Sequence, residues 1–142
     1  MAFLTATDYH TQIKQEHLEK LTEGNDSYRL DAEGKALAQI RSRLAVRYDI
    51  ATALNATGSA RSAELVMYAV DMALYHLHSR ISPGQVPAQR AERYQDAMEW
   101  LGKVAEGSWD AGLPLAGDAD GDGVDDKNVV QWGGQAPRNP YF

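Results

Sequence analysis

The chain contains no cysteine. Disulfides, thiol catalysis and cysteine-ligated zinc are thereby excluded, and the fold must rest on an apolar core. At 142 residues one domain is expected, burying roughly two thirds of its unfolded surface. Long apolar runs are missing too: the longest, Leu65 to Val70, falls far short of the ~20 residues that span a bilayer. The N-terminal Met-Ala-Phe-Leu-Thr has neither a basic region nor a long apolar one, so no secretory signal is expected. The reading is a soluble protein made in a reducing cytoplasm, with no membrane partner. Excess positive charge is absent as well, the net being −6. Nucleic-acid affinity of a general kind depends on neutralising phosphates and is disfavoured by that balance, although DNA passing through a channel is not. No P-loop, nucleophile elbow, paired zinc-ligand motif or dinucleotide fingerprint occurs.

What the chain does have is helical periodicity. Thr5 and Asp8 fit a capping box, with Leu4 and Tyr9 at the two staple positions. Apolar residues follow at Ile13, Leu18 and Leu21, and the step of five between the first two predicts two short helices or a kink near Gln15. Asp31 is a candidate cap for a helix reaching about Tyr48, whose stripe is Leu37, Ile40, Leu44 and Tyr48. Beside it Lys35, Gln39, Arg43 and Arg47 recur every four residues. That polar stripe reads as a solvated face, or as salt bridges to a neighbouring subunit, in preference to a DNA contact.

Residues 50–62 carry Asn55, Thr57, Gly58 and Ser59 and read as a loop. The next helix, 62–79, is apolar around most of its girth and is placed at the centre of the domain, with Leu65, Ala69, Met72 and Leu77 as core. Asp71 within it is expected to be partly buried and hydrogen-bonded or ion-paired, Arg43 or Arg47 being the candidate partners, because a lone buried charge is costly. Pro87 suits the first turn of a last helix carrying Ala91, Tyr94, Met98 and Leu101 and ending at Gly107. The fold class expected is all-α: a small bundle of four to five helices over 1–107 and an extended, irregular C-terminal arm over 108–142.

The arm holds half of the chain's twelve glycines and three of its five prolines, so helical periodicity stops there. It also carries six acidic side chains against Lys127 and Arg138, and four aromatics: Trp109, Trp132, Tyr141 and Phe142. Aromatics in an extended segment suggest docking onto a partner, so these four, with Arg43 and Arg47, are the candidate partner-binding residues. Asp118, Asp120, Asp122 and Asp126 stand at positions one, three, five and nine of a loop with Gly123 at position six, which matches the front of a calcium loop. Position twelve is Val129 where a bidentate Glu is needed, so the loop reads either as a solvated acidic turn or as a weak calcium site. No other cofactor is expected. His76 and His78 are two apart on a helix and point to different sides, which argues against a shared metal.

Three tracts carry a resemblance. Ile40-Arg-Ser-Arg-Leu-Ala-Val-Arg-Tyr48, Asp71-Met-Ala-Leu-Tyr-His-Leu-His78 and Arg90-Ala-Glu-Arg-Tyr-Gln-Asp-Ala-Met-Glu-Trp-Leu101 follow one another in an order and spacing similar to the Mu-type head–tail connector (adaptor) proteins of tailed phages. The resemblance implies a structural protein without catalytic activity, found in the virion and made in the host bacterial cytoplasm. It further implies a ring, expected as a dodecamer, that contacts the portal above and a stopper or tail protein below. DNA would pass through its channel without sequence-specific binding. The competing reading from the residues themselves is a calcium-dependent binding module built on the acidic loop 118–126.

Overall fold

The structure, a computed structural model, describes residues 2–81 and 84–117. They form a short 3₁₀ turn, Ala6–Thr11, followed by α1 (Gln15–Thr22), α2 (Asp26–Leu44), α3 (Ile50–Asn55), a second 3₁₀ turn at Gly58–Ala60, α4 (Ala63–Ile81) and α5 (Ala88–Glu106). The all-α expectation is met: among the described residues the one element of extended pairing is an isolated antiparallel bridge between Tyr48 and Leu115.

The first unit divides at the irregular step in its apolar spacing. The Thr5 N–H donates to the Asp8 carboxylate at 2.7 Å, while Leu4 and Tyr9 are both buried as a staple requires. The chain leaves the 3₁₀ turn at Gln12 and restarts at Gln15. α2 begins earlier than the Asp31 cap predicts. Asn25 is the cap, its side chain accepting from the Ser27 N–H at 3.0 Å, and it satisfies one of the donors a helix start leaves over. The segment expected as a loop after Ile50 also starts with a helix. Asp49 accepts from the Thr52 N–H at 3.3 Å and from its hydroxyl at 2.7 Å, and Ile50, Ala53 and Leu54 turn one face into the core. The turn residues from Asn55 onward mask this single helical turn and a half in the sequence.

α2, α4 and α5 are the three long helices, and named contacts fix their directions. Gln39 meets His76 while Tyr28 lies under Arg80, so α2 and α4 are antiparallel. Asp71 meets Arg93 and Glu64 meets Trp100, so α4 and α5 are antiparallel too. α4 sits at the centre, with Leu65, Ala69, Met72 and Leu77 all inaccessible to solvent or nearly so. Each large side chain buried this way contributes about 1.5–3 kcal/mol.

Gly107 closes α5 in the left-handed region at φ 92°, and the N–H groups of Ser108 and Trp109 both return to the Lys103 carbonyl. Packing does not stop at that boundary. Residues 108–117 run back over the bundle: Leu113 is buried, the Asp49 N–H donates to the Pro114 carbonyl at 2.7 Å, and the Ala116 N–H donates to the Arg47 carbonyl at 3.1 Å. The Tyr48 hydroxyl donates to Asp110 at 3.3 Å and accepts from the Ala111 N–H at 3.3 Å. The first ten residues of the expected arm therefore belong to the packed unit.

Candidate partner-binding site

The antiparallel register of α4 and α5 places Asp71 opposite Arg93. The Arg93 guanidinium donates to both Asp71 oxygens, at 2.7 and 3.2 Å, and Arg90 stands 3.9 Å away on the same helix. This replaces the expected pairing with Arg43 or Arg47. Arg43 lies on the exposed side of α2, and Arg47 is committed elsewhere: its guanidinium covers the Tyr48 ring at 5.3 Å and reaches the Val104 carbonyl at 3.4 Å. Burial pushes the Asp71 carboxyl above its ordinary value, and Arg93 and Arg90 offset only part of that shift. Gln12 ties the 3₁₀ turn to this pair. Its side chain accepts from Arg93 at 2.8 Å and donates to the Met67 carbonyl at 3.2 Å, and its backbone carbonyl accepts from Arg90 at 2.7 Å.

Above the ion pair α4 and α5 leave a groove of about 360 Å³, lined by Met67, Tyr68, Asp71, Arg93, Asp96, Glu99 and Trp109. Its floor is held rigidly. Tyr68 stacks on Trp100 with ring centroids 4.7 Å apart, and the Trp100 indole N–H donates to Glu64 at 2.9 Å. Trp109, brought there by the turn at Gly107, is 48% exposed, and Met67 is 38% exposed. Large apolar side chains in water beside an open groove with a charged rim are the composition of a docking surface.

Of the candidate partner-binding residues, Trp109 lines this groove. Arg43 and Arg47 lie on α2 and beyond it and line no part of it. Trp132, Tyr141 and Phe142, and the calcium candidates Asp118, Asp120, Asp122 and Asp126, lie outside the described residues. Met67, Tyr68, Asp96 and Glu99 escape a reading of the sequence because Met67 and Tyr68 sit in the apolar girth of α4, which reads as core all round. The available signal is Arg90 and Arg93, three apart on α5 and so able to meet one buried carboxylate on α4.

His76 is engaged in packing. The His76 imidazole meets the Gln39 side-chain oxygen at 2.8 Å, and Gln39 in turn donates to the Tyr94 hydroxyl at 3.0 Å. Burial, with Lys35 adding to it, holds His76 below its ordinary value, so it is neutral near pH 7 and donates through Nε2. Among the described residues no group of three or more His, Asp or Glu could hold a metal ion, and no helix is long and apolar enough to cross a membrane.

Comparison with known proteins gives one family. The family described as Bacteriophage Mu, Gp36 matches residues 3–127, which takes in α1 to α5 and the packed segment after them. No curated protein and no solved structure matches the chain. With most of its length covered by that match, from the buried Phe3 to beyond the Tyr48–Leu115 bridge, the chain belongs to the bacteriophage Mu Gp36 family of Mu-type phage proteins.

Proposed function

We propose that this protein is a structural subunit of the phage head–tail connector, assembling as a ring below the portal and joining the DNA-filled head to the tail. The family match over residues 3–127 is the observation that carries the reading. The three tracts that resemble connector proteins all fall on α2, α4, α5 and the turn after α2. In this role the protein is a component of the virion, and catalysis is no part of it. Its partners are further copies of itself, expected as a dodecamer, the portal protein, and a stopper or tail protein on the far side. DNA crosses the channel without being read. The α4–α5 groove with Trp109 and Met67 supports the reading as a ready surface for one of these neighbours.

The test is to add the purified chain to portal-bearing heads that lack it and to image the product by electron microscopy. A ring of density below the portal is the expected result, and removing residues 128–142, with Trp132, Tyr141 and Phe142, should sharply reduce attachment. Heads that acquire no added density, with a chain that remains monomeric beside them, would overturn the proposal.

A further inference from the structure

The groove above the Asp71–Arg93 pair carries an unbalanced charge. Arg93 is taken up by both Asp71 oxygens, which leaves Asp96 and Glu99, one turn apart on α5 and both exposed, as the acids of the rim. Among the described residues neither forms an ion pair, and Lys103, one turn beyond Glu99, is drawn to Glu106 at 3.5 Å instead. Burial, and then the charges of Glu64, Asp96 and Asp71, hold the Tyr68 hydroxyl above its ordinary value against a smaller opposing pull from Arg93, so the groove is electronegative at that ring. Beside these acids stand the exposed Trp109 and Met67. Carboxylates next to aromatic faces suit a cationic side chain with apolar neighbours.

We infer that this groove holds residues 127–142 of the same chain, with Arg138 between Asp96 and Glu99. Charge selects the segment. Residues 118–126 carry five acidic side chains and no basic one, so the rim repels them, whereas residues 127–142 carry Lys127 and Arg138 and no acidic side chain. The same segment brings Trp132, Tyr141 and Phe142 to an aromatic groove. Arg138 is the better fit of the two cations: its flat guanidinium stacks on a ring while pairing with a carboxylate, and Pro137 and Pro140 on either side reduce the cost of ordering it. Span selects the copy. Ala116 is bonded to Arg47, and Arg47 to Val104, which fixes the start of the connection near the end of α5. Asp96 lies eight residues before Val104, about 12 Å along the helix, and one helix diameter of about 10–12 Å bounds the way round it. Twenty-one residues lead from Gly117 to Arg138, and a random-coil connection of that length averages roughly 25 Å. A connection whose length matches its span presents its own end at a millimolar effective concentration, far above that of a second copy in dilute solution. Exposed ion pairs are weak, so the segment is a reversible cover: it adds little to the stability of the bundle, and a neighbour that takes the groove sets the arm free. This inference rests on the groove as a docking surface and not on the ring, so it and the portal reading can fail separately.

The experiment uses the full chain, which has no cysteine of its own to compete. Met67→Cys, in the groove, and Asn139→Cys, next to Arg138, are introduced together, so that every charge the proposal invokes is kept. The rate of disulfide formation under mild oxidation is compared with that of a control pair, Ser42→Cys with Asn139→Cys, whose first member is exposed on α2 and lines no part of the groove. The groove pair should close at least tenfold faster, and the product should have the mass of one chain. Adding Asp96→Asn with Glu99→Gln, or Arg138→Gln alone, should remove that excess rate. A groove pair no faster than the control, or an excess rate that survives these charge substitutions, overturns the assignment. A disulfide formed only between chains overturns it too, since the groove would then belong to a neighbour's arm. The result is read without portal or heads, so rapid closure in a chain that never attaches to heads upholds this contact while removing the connector role.

Discussion

Asp8, Glu33 and Asp71 are three buried or half-buried carboxylates that burial pushes upward alike, yet their partners leave them with opposite effects on stability. For Asp8 burial is outweighed: Arg61 donates to both oxygens, at 2.7 and 3.0 Å, the Thr5 N–H adds a third bond, and the carboxyl ends below its ordinary 3.8. Its contribution is therefore fully present above 3.8 and is lost as pH falls through the lowered value. Asp8→Asn should cost about 1–3 kcal/mol in urea denaturation near pH 7, with the gap to the parent narrowing in acid. A gap that does not change with pH would show that the Arg61 pair is not what holds that turn. Glu33 and Asp71 run the other way. Burial dominates over Tyr9 and Arg29 for the first, and over Arg93 and Arg90 for the second, so both carboxyls lie above their ordinary values. What they contribute is greatest in acid and declines as pH rises through those values. In the core, Leu65→Ala and Leu77→Ala should each cost about 2–5 kcal/mol, and a loss under about 1 kcal/mol at both would mean that α4 is not the centre of the fold.

Glycines inside and just beyond the helices make a sharper comparison. A Cβ at Gly34, within α2, or at Gly102, within α5, would meet nothing within 4 Å. Replacing either by Ala should raise stability by about 0.5–1 kcal/mol by restricting the unfolded chain, whereas Gly107→Ala should lower it by at least about 1 kcal/mol. Gly107 has φ 92°, and a Cβ there would stand 3.0 Å from an Arg47 nitrogen. Thermal melts that fail to place Gly107→Ala below the other two variants would contradict a left-handed close of α5 at that residue. The long helices are legible in the sequence because their stripes are long: Leu65, Ala69, Met72 and Leu77 repeat over several turns, and Gly107 stops α5 unambiguously. α3 is not, since six residues followed by Thr, Gly and Ser give too short a period to outweigh the turn signal. The start of α2 is hidden for a related reason, because Asn25 sits in a polar stretch where several residues could serve as cap. The groove is half legible. Trp109 stands out as an aromatic beyond the last helix, but its neighbours Met67 and Tyr68 become a site only through the register of α4 against α5, which no single helix pattern encodes.

The extent of the packed unit sets what can be removed without unfolding it. Deleting residues 128–142 should leave the denaturation midpoint of the isolated chain nearly unchanged, whereas deleting 108–142 exposes the surface under Leu113 and frees the bonds to Asp49 and Arg47. Loss of the Leu113 side chain alone costs about 1.5–3 kcal/mol, so the longer deletion should melt clearly earlier. Equal melting of the two truncations would place the boundary back at Gly107. The attachment of residues 108–117 also has a mechanical side. The segment's backbone pairs with the bundle at one isolated bridge, Tyr48 with Leu115, and not through a ladder of strands, with the buried Leu113 and the Tyr48 hydroxyl beside it. A pull on the C-terminus should peel that bridge before any helix yields, releasing up to about 34 Å of slack from ten extended residues. Stretching single molecules by their ends should then show a small first lengthening at low force, well before the large one from the three long helices. A protein that tethers a particle through such a segment gives at its anchor first and keeps its body intact under a sudden tug.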